Sequence, residues 1–268
     1  MATRTLLLLL LCFGLFSSPA QAQCLVLNAS SNAEYPPYLW RANADDSHLQ
    51  GALALMLNSI GKSANIKIHS IYAGPWARVQ KTVEQGQVDA FAGAFLTQQR
   101  LGYADYLQPP LVQTTSKVWV HKERSFTLND LNDLKGRTGV SVINNSFGQA
   151  FDDFAKAELK MHQVSSVQQA LKMLENKRVD YFIYEEQPGR AYIEQFQIQN
   201  LVLLPYVISS EPLYLALSKR SPCNTKALKQ QLIQALQQAE QNHLAEHSLE
   251  AARVLWRQHL ANKPPGYD

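Results

Sequence analysis

Apolar residues recur at helical spacing from Leu49 to Ile60, and Gly61 follows as a stop. Ahead of that stretch, Cys24 to Asn28 is an apolar run of strand length; behind it, Ile66, Ile68 and Ser70 alternate as a strand. A helix from about Ala77 to Glu84, ended by Gly86, feeds a strand through Val88 to Ala94. Strands and helices taking turns predict an α/β fold.

The same helix, polar turn and strand return from Val167 to Tyr184. Both units begin their strand on Val-Asp-x-Phe, as Val88-Asp89-Ala90-Phe91 and as Val179-Asp180-Tyr181-Phe182. The recurrence predicts two similar lobes, with chance similarity of two α/β units as the alternative. Two extended stretches would carry the chain across and back: Thr114 to His121, and Leu201 to Leu217 with its Pro205 and Pro212. Thr225 to Leu260 reads as helical, with Leu228, Leu232, Leu236, Leu249, Leu255 and Trp256 facing inward. The expected organisation places residues 23–113 and 213–268 in a first lobe and 114–212 in a second. A loose tail runs from Asn262 to Asp268, through Pro264-Pro265-Gly266.

The beginning of the chain carries the compartment. Arg4, an apolar run from Leu6 to Phe16, and Ser17-Ser18-Pro19-Ala20-Gln21-Ala22 form the pattern of a cleavable export signal over residues 1–22. The run falls short of the ~20 apolar residues that cross a bilayer. Gln21-Ala22-Gln23 lacks the leucine that a lipid-anchor site carries before its cysteine, so a soluble mature protein starting near Gln23 is expected. The formal charge of +3 falls to +2 without Arg4, and no basic cluster interleaves with aromatics, which argues against a nucleic-acid partner. Cys12 lies in the signal, leaving Cys24 and Cys223 as an even pair in an oxidising setting. A disulfide between them is the simplest reading, and two free thiols the alternative.

Several short segments stand in a recognisable order: Glu34-Tyr35-Pro36-Pro37-Tyr38, Gln50-Gly51, Gly74-Pro75-Trp76, Gly86-Gln87-Val88-Asp89, Thr97-Gln98-Gln99-Arg100, Tyr103-Ala104-Asp105-Tyr106, the stretch from Leu131 to Gly139, and Val179-Asp180. In order and spacing they resemble extracellular solute-binding proteins of family 3 over nearly the whole mature chain. The resemblance implies a bilobed periplasmic-binding-protein fold of type II, two α/β lobes joined by two hinge strands. It also implies a periplasmic, monomeric protein that captures an amino acid or related carboxylate for the membrane permease of an ABC importer. Neither a cofactor nor a metal is expected.

Carried over residue by residue, the resemblance puts the carboxylate-binding arginine at Arg100, within Thr97-x-x-Arg100, where a planar guanidinium can grip an acid group bidentately. Glu185, five residues after Asp180, falls where an acidic residue holds the ligand's ammonium; Glu186 is the alternative by a one-residue shift. Tyr35 and Trp76 fall where aromatics sandwich the ligand, with Tyr38 as a substitute for Tyr35. Thr97, Asn32 and Ser146 complete the expected binding set. Two departures bear on the ligand: Phe95 stands where a binding hydroxyl is usual, and in Asn145-Ser146-Phe147-Gly148 a phenylalanine replaces a second hydroxyl. Both point to a bulkier, less polar pocket.

One enzymatic string also occurs. His243-Leu244-Ala245-Glu246-His247 matches H-x-x-E-H, yet only Glu250 follows as a downstream glutamate, and a solvated helix face is the expected reading. Two further classes compete with capture. One is a cyclohexadienyl dehydratase-like enzyme on the same scaffold, using Glu185 as an acid; the other is a soluble sensor that presents ligand to a membrane partner.

Overall fold

The computed structural model describes residues 24–262, so the expected signal over 1–22 and most of the expected tail lie outside the described residues. In chain order the first half runs β1 (Val26–Ser30), β2 (Glu34–Tyr35), β3 (Leu39–Trp40), α1 (Ala52–Ser63), β4 (Lys67–Ser70), α2 (Trp76–Glu84), β5 (Ala90–Ala94), α3 (Gln98–Leu101), β6 (Ala104–Tyr106) and β7 (Val112–His121). It continues through β8 (Thr138–Val142), α4 (Gln149–Glu158), β9 (Lys160–Val164), α5 (Val167–Glu175), β10 (Tyr181–Glu185), α6 (Glu186–Gln195), β11 (Leu201–Ser218), α7 (Lys226–Gln241) and α8 (Leu244–Ala261).

Strand order is β4-β1-β5-β11-β7-β10-β8-β9, with β6 pairing the far end of β11. The two ends of this path are parallel groups, β4-β1-β5 and β10-β8-β9. Long β7 and β11 run antiparallel between them and belong to both lobes. Parallel strands need crossover helices, which cover the faces of the sheet. That explains the buried run of β5, Ala90 to Ala94, and of β10, Tyr181 to Glu185, where every residue is inside.

In the first lobe α1 packs Leu53, Met56, Leu57 and Ile60 into the core, and α7 and α8 lie against it. Each wholly buried leucine contributes roughly 1.5–3 kcal/mol. From α8, Trp256 also meets Tyr192 of α6 edge-on at 6.5 Å, and Arg253 donates to Gln187 at 3.2 Å. The closing helix therefore touches both lobes. Among the described residues no helix is long and apolar enough to cross a membrane.

Several boundaries differ from the sequence expectations. Gly61 does not stop α1, which continues to Ser63; a Cβ on Gly61 would come within 2.9 Å of the Ile66 carbonyl, so the glycine serves close packing. The reversal falls to Asn65, at φ 53°. Leu49 and Gln50 precede α1 in extended backbone bonded to Ser70 and Trp40. The first strand begins at Val26, where pairing with Lys67 begins, rather than at Cys24. Pro205 and Pro212 are tolerated in β11, whose pairing with β7 shifts register around Val207. The long carboxyl-terminal helix is two, broken at His243 in the left-handed region. Leu249 and Leu255, expected to face inward, are half-buried and pack against the core.

Cys24 and Cys223 form a disulfide, with Cα atoms 5.3 Å apart and a sequence separation of 199. Closing so long a loop restricts the unfolded chain, so Cys223→Ser should cost about 2–5 kcal/mol. Thermal melting of the variant beside the wild type checks this; equal midpoints would show that the bridge adds nothing.

Candidate functional site

In open parallel sheets the carboxyl ends of strands are where ligands bind. Here the ends of β1 and β5 from one lobe meet those of β8 and β10 from the other. Asn32, Tyr35, Trp76, Arg100, Ser146 and Glu185 line one interlobe cavity, together with Ser31, Gly93, Phe95, Asn145 and Leu213. The cavity measures about 30 Å³, room for little more than a water or two. It adjoins an outer cleft of about 900 Å³ that shares Arg100, Asn145 and Ser146.

Arg100 is buried, on the short helix that follows β5. Its Nη1 donates to the Phe95 carbonyl at 3.0 Å, and Nε and Nη2 donate to Gln80 Oε1 at 3.3 and 3.2 Å. The guanidinium also stands 5.1 Å from the Trp76 ring. Thr97 has a different place from the one expected: its hydroxyl caps α3 by accepting from the Arg100 N–H at 3.2 Å, and it lines the outer cleft but not the inner cavity. It thus orients Arg100 from behind.

A contact between the lobes converges on one atom. The Asn144 carbonyl accepts from Trp76 Nε1 at 3.2 Å, Gln80 Nε2 at 3.3 Å and Arg100 Nη2 at 3.4 Å. Asn144 adopts φ 59°, which asparagine tolerates better than most residues. Gln80 had no sequence signal of its own, although it lies one turn beyond Trp76 on α2 and so shares its face.

Glu185 closes β10 opposite Ser116 and is 3 % exposed. Its Oε2 makes no hydrogen bond among the described residues. Burial pushes its carboxyl up to about 7, opposed by its own backbone N–H and the Tyr35 hydroxyl. Tyr35 packs on Tyr38 at 5.1 Å and meets Tyr184 edge-on at 6.3 Å. Burial and the nearby Glu185 charge push the Tyr35 phenol well up. The Tyr35 and Thr114 hydroxyls, both buried, make no hydrogen bond of ordinary geometry, though Tyr35 stands near enough to both Glu185 and Thr114 to feel each of them. Tyr38 is buried behind Tyr35 and does not line the cavity. Glu186 opens α6 and pairs with Lys117 at 2.7 Å and Arg190 at 2.9 Å, away from the cavity.

Phe95 does line the cavity, and Phe147 packs into the second-lobe core. Ser146 lines the cavity, but its hydroxyl donates to Asp152. In the H-x-x-E-H string, His243 caps α8 from a left-handed turn and lies 3.8 Å from exposed Glu246. No group of three potential metal ligands occurs among the described residues.

Two α/β lobes with a buried cation on one, a buried carboxylate on the other and aromatic walls between them define a hinged binding protein. The sequence profile of bacterial extracellular solute-binding proteins, family 3, matches residues 27–250, and the chain belongs to that family. A search of curated proteins finds no match. Among solved structures, an amino acid ABC transporter substrate-binding protein from Streptococcus pneumoniae bound to L-arginine superposes with a TM-score of 0.69 at 17 % identity, covering 88 % of this chain and 96 % of that one. An ancestral arginine-binding protein bound to arginine gives 0.69 at 20 % identity, covering 85 % and 97 %. A histidine kinase sensor domain gives 0.71 at 18 % identity, covering 86 % and 95 %. At these identities the likeness is one of fold.

Proposed function

We propose that this protein captures a small polar ligand, an amino acid or related carboxylate, in the periplasm and presents it, as a monomer, to the membrane permease of an ABC importer. The ligand's acid group sits on Arg100 and its ammonium on Glu185, between Tyr35 and Trp76, with Asn32 and Ser146 at the margin. The observation that carries this reading is the juxtaposition, across one interlobe cavity, of the Arg100 fork and the unpartnered, buried Glu185 Oε2. The division into lobes at residues 113–114 and 212–213 fits the passage of β7 and β11 between the two parallel groups.

A ligand of amino-acid size exceeds the inner cavity, so binding requires the lobes to part and close again about β7 and β11. Parting removes the Asn144 carbonyl from Arg100 Nη2 and frees that donor for an acid group. A thermal-shift screen over amino acids, polyamines and small organic acids tests the reading. Ligand at 100 times its Kd stabilises the folded form by about 2.7 kcal/mol. Small-angle scattering with the best ligand should show a more compact particle; no shift across the panel contradicts capture.

One observation favours an enzymatic alternative: a buried cleft carboxyl titrating near 7 is suited to proton donation. Formation of aromatic acid from prephenate or arogenate by the purified protein would replace capture with dehydration. The sensor-domain likeness supports a third use, presentation of the bound ligand to a membrane partner, and binding to a purified sensor rather than to a permease would decide for it.

A further inference from the structure

We propose that Asp152 is a specificity-determining residue that keeps acidic ligands out of this cleft, so that the ligand carries one carboxylate, held from the first lobe alone. The inference rests on reading Arg100 and Glu185 as the two ends of the ligand site.

The turn Ser146-Phe147-Gly148 leads into α4 at the second-lobe side of the cleft. Donors at such a turn are suited to grip an external acid. Here Asp152, one turn into the same helix, holds them: the Ser146 hydroxyl donates to Oδ2, and the Phe147 N–H donates to Oδ1 at 2.9 Å. The Gly148 N–H turns to Ser146 Oγ at 3.3 Å. An internal carboxylate thus sits where a ligand's would bind.

A second carboxylate flanks the turn. Gly148 has φ 94°, and a Cβ there would fall 2.1 Å from Glu211 Oε1, so the Glu211 head group lies against bare backbone. Burial and the nearby Asp152 charge both push the Glu211 carboxyl up. An acid group brought to this edge would find its donors engaged and the Asp152 and Glu211 carboxyls beside it, with the nearby Arg100 cation already facing Asp152. Glu185 Oε2, by contrast, is buried, unpartnered and on the cavity wall. The second lobe is therefore built to accept an ammonium and not an acid.

The test is isothermal titration of the full mature chain with two isosteric pairs, L-glutamine against L-glutamate and L-asparagine against L-aspartate. Wild type should bind the neutral member at least 30-fold more tightly. In Asp152→Asn, which keeps an acceptor for Phe147, that ratio should fall at least tenfold through tighter binding of the acidic member. Asp153→Asn, the same charge change at the exposed neighbour, should leave the ratio as in wild type. Acidic and neutral members binding wild type within threefold of each other, an unchanged ratio in Asp152→Asn, or no binding of any of the four overturns the proposal. If the wild-type ratio is already near one while Glu185→Gln still abolishes binding, the role of Asp152 falls and the site itself stands. Should Asp152→Asn fail to fold, the wild-type ratio alone still decides.

Discussion

Glu185→Gln should abolish ligand capture and, above neutral pH, make the ligand-free protein more stable than wild type. The amide keeps the shape of the side chain but removes the charge that pairs with an ammonium. Truncating one partner of a buried, hydrogen-bonded charge pair costs about 2–5 kcal/mol, so Kd should rise roughly 30-fold or more. Stability moves the other way, because burial raises the Glu185 carboxyl from 4.5 to about 7. Between those values the folded chain holds a proton that the unfolded chain has released, so stability falls as pH rises through this window and stays reduced above it. At 1.36 kcal/mol per pH unit the cost above pH 7 is on the order of 3 kcal/mol. The glutamine variant escapes it. Its melting point should exceed that of wild type by several degrees at pH 8 and match it near pH 4. The same ionisation makes wild-type affinity for an ammonium ligand climb with pH through about 7, a slope the variant lacks. Equal melting points at both pH values would show that the carboxyl is not held in its buried place.

Arg100→Ala is the second large effect. In the proposed site the guanidinium would offer a fork to the ligand's acid, and it also holds the Phe95 carbonyl and Gln80 in place. Alanine should therefore weaken carboxylate ligands roughly 30-fold or more and also lower the melting point, since the buried Phe95 carbonyl keeps only the Tyr106 hydroxyl, at 2.8 Å. Arg100→Lys separates the two contributions. It keeps the charge but not the planar fork, and should bind with intermediate affinity. Titration of both variants against the best ligand of the screen checks this. Unaltered affinity in the alanine variant would remove Arg100 from the site.

Arg100 and Glu185, the two ends of the proposed site, each follow a strand that repeats one pattern. Val88-Asp89-Ala90-Phe91 leads to Arg100, and Val179-Asp180-Tyr181-Phe182 leads to Glu185. Asp89 and Asp180 do matching work, each accepting from the first neighbouring strand, at Asn28 N–H and Thr138 N–H. Glu185 and Glu186 part where the strand ends and α6 begins, which turns Glu186 toward Lys117 and Arg190. Thr97 shows how a cap hydroxyl and a ligand-binding hydroxyl share one sequence signature.

What stayed hidden depends on contacts far apart in sequence. Gln80 and Asn144 meet across 64 residues, through a carbonyl that any residue type supplies. Asp152 occupies donors that the Ser146 turn, read alone, leaves open to a ligand. The breaks at His243 and Asn65 rest on left-handed backbone at residues other than glycine, which apolar periodicity does not register. Gly61 shows the converse, a glycine retained for contact with β4 rather than for termination.

The most direct test is a crystal structure of the protein with the compound that raises its melting point most. The expected density lies between the lobes, with an acid group within about 3 Å of the Arg100 guanidinium and an ammonium within about 3 Å of the Glu185 carboxylate. A ligand seated elsewhere, or touching only one lobe, would contradict the account.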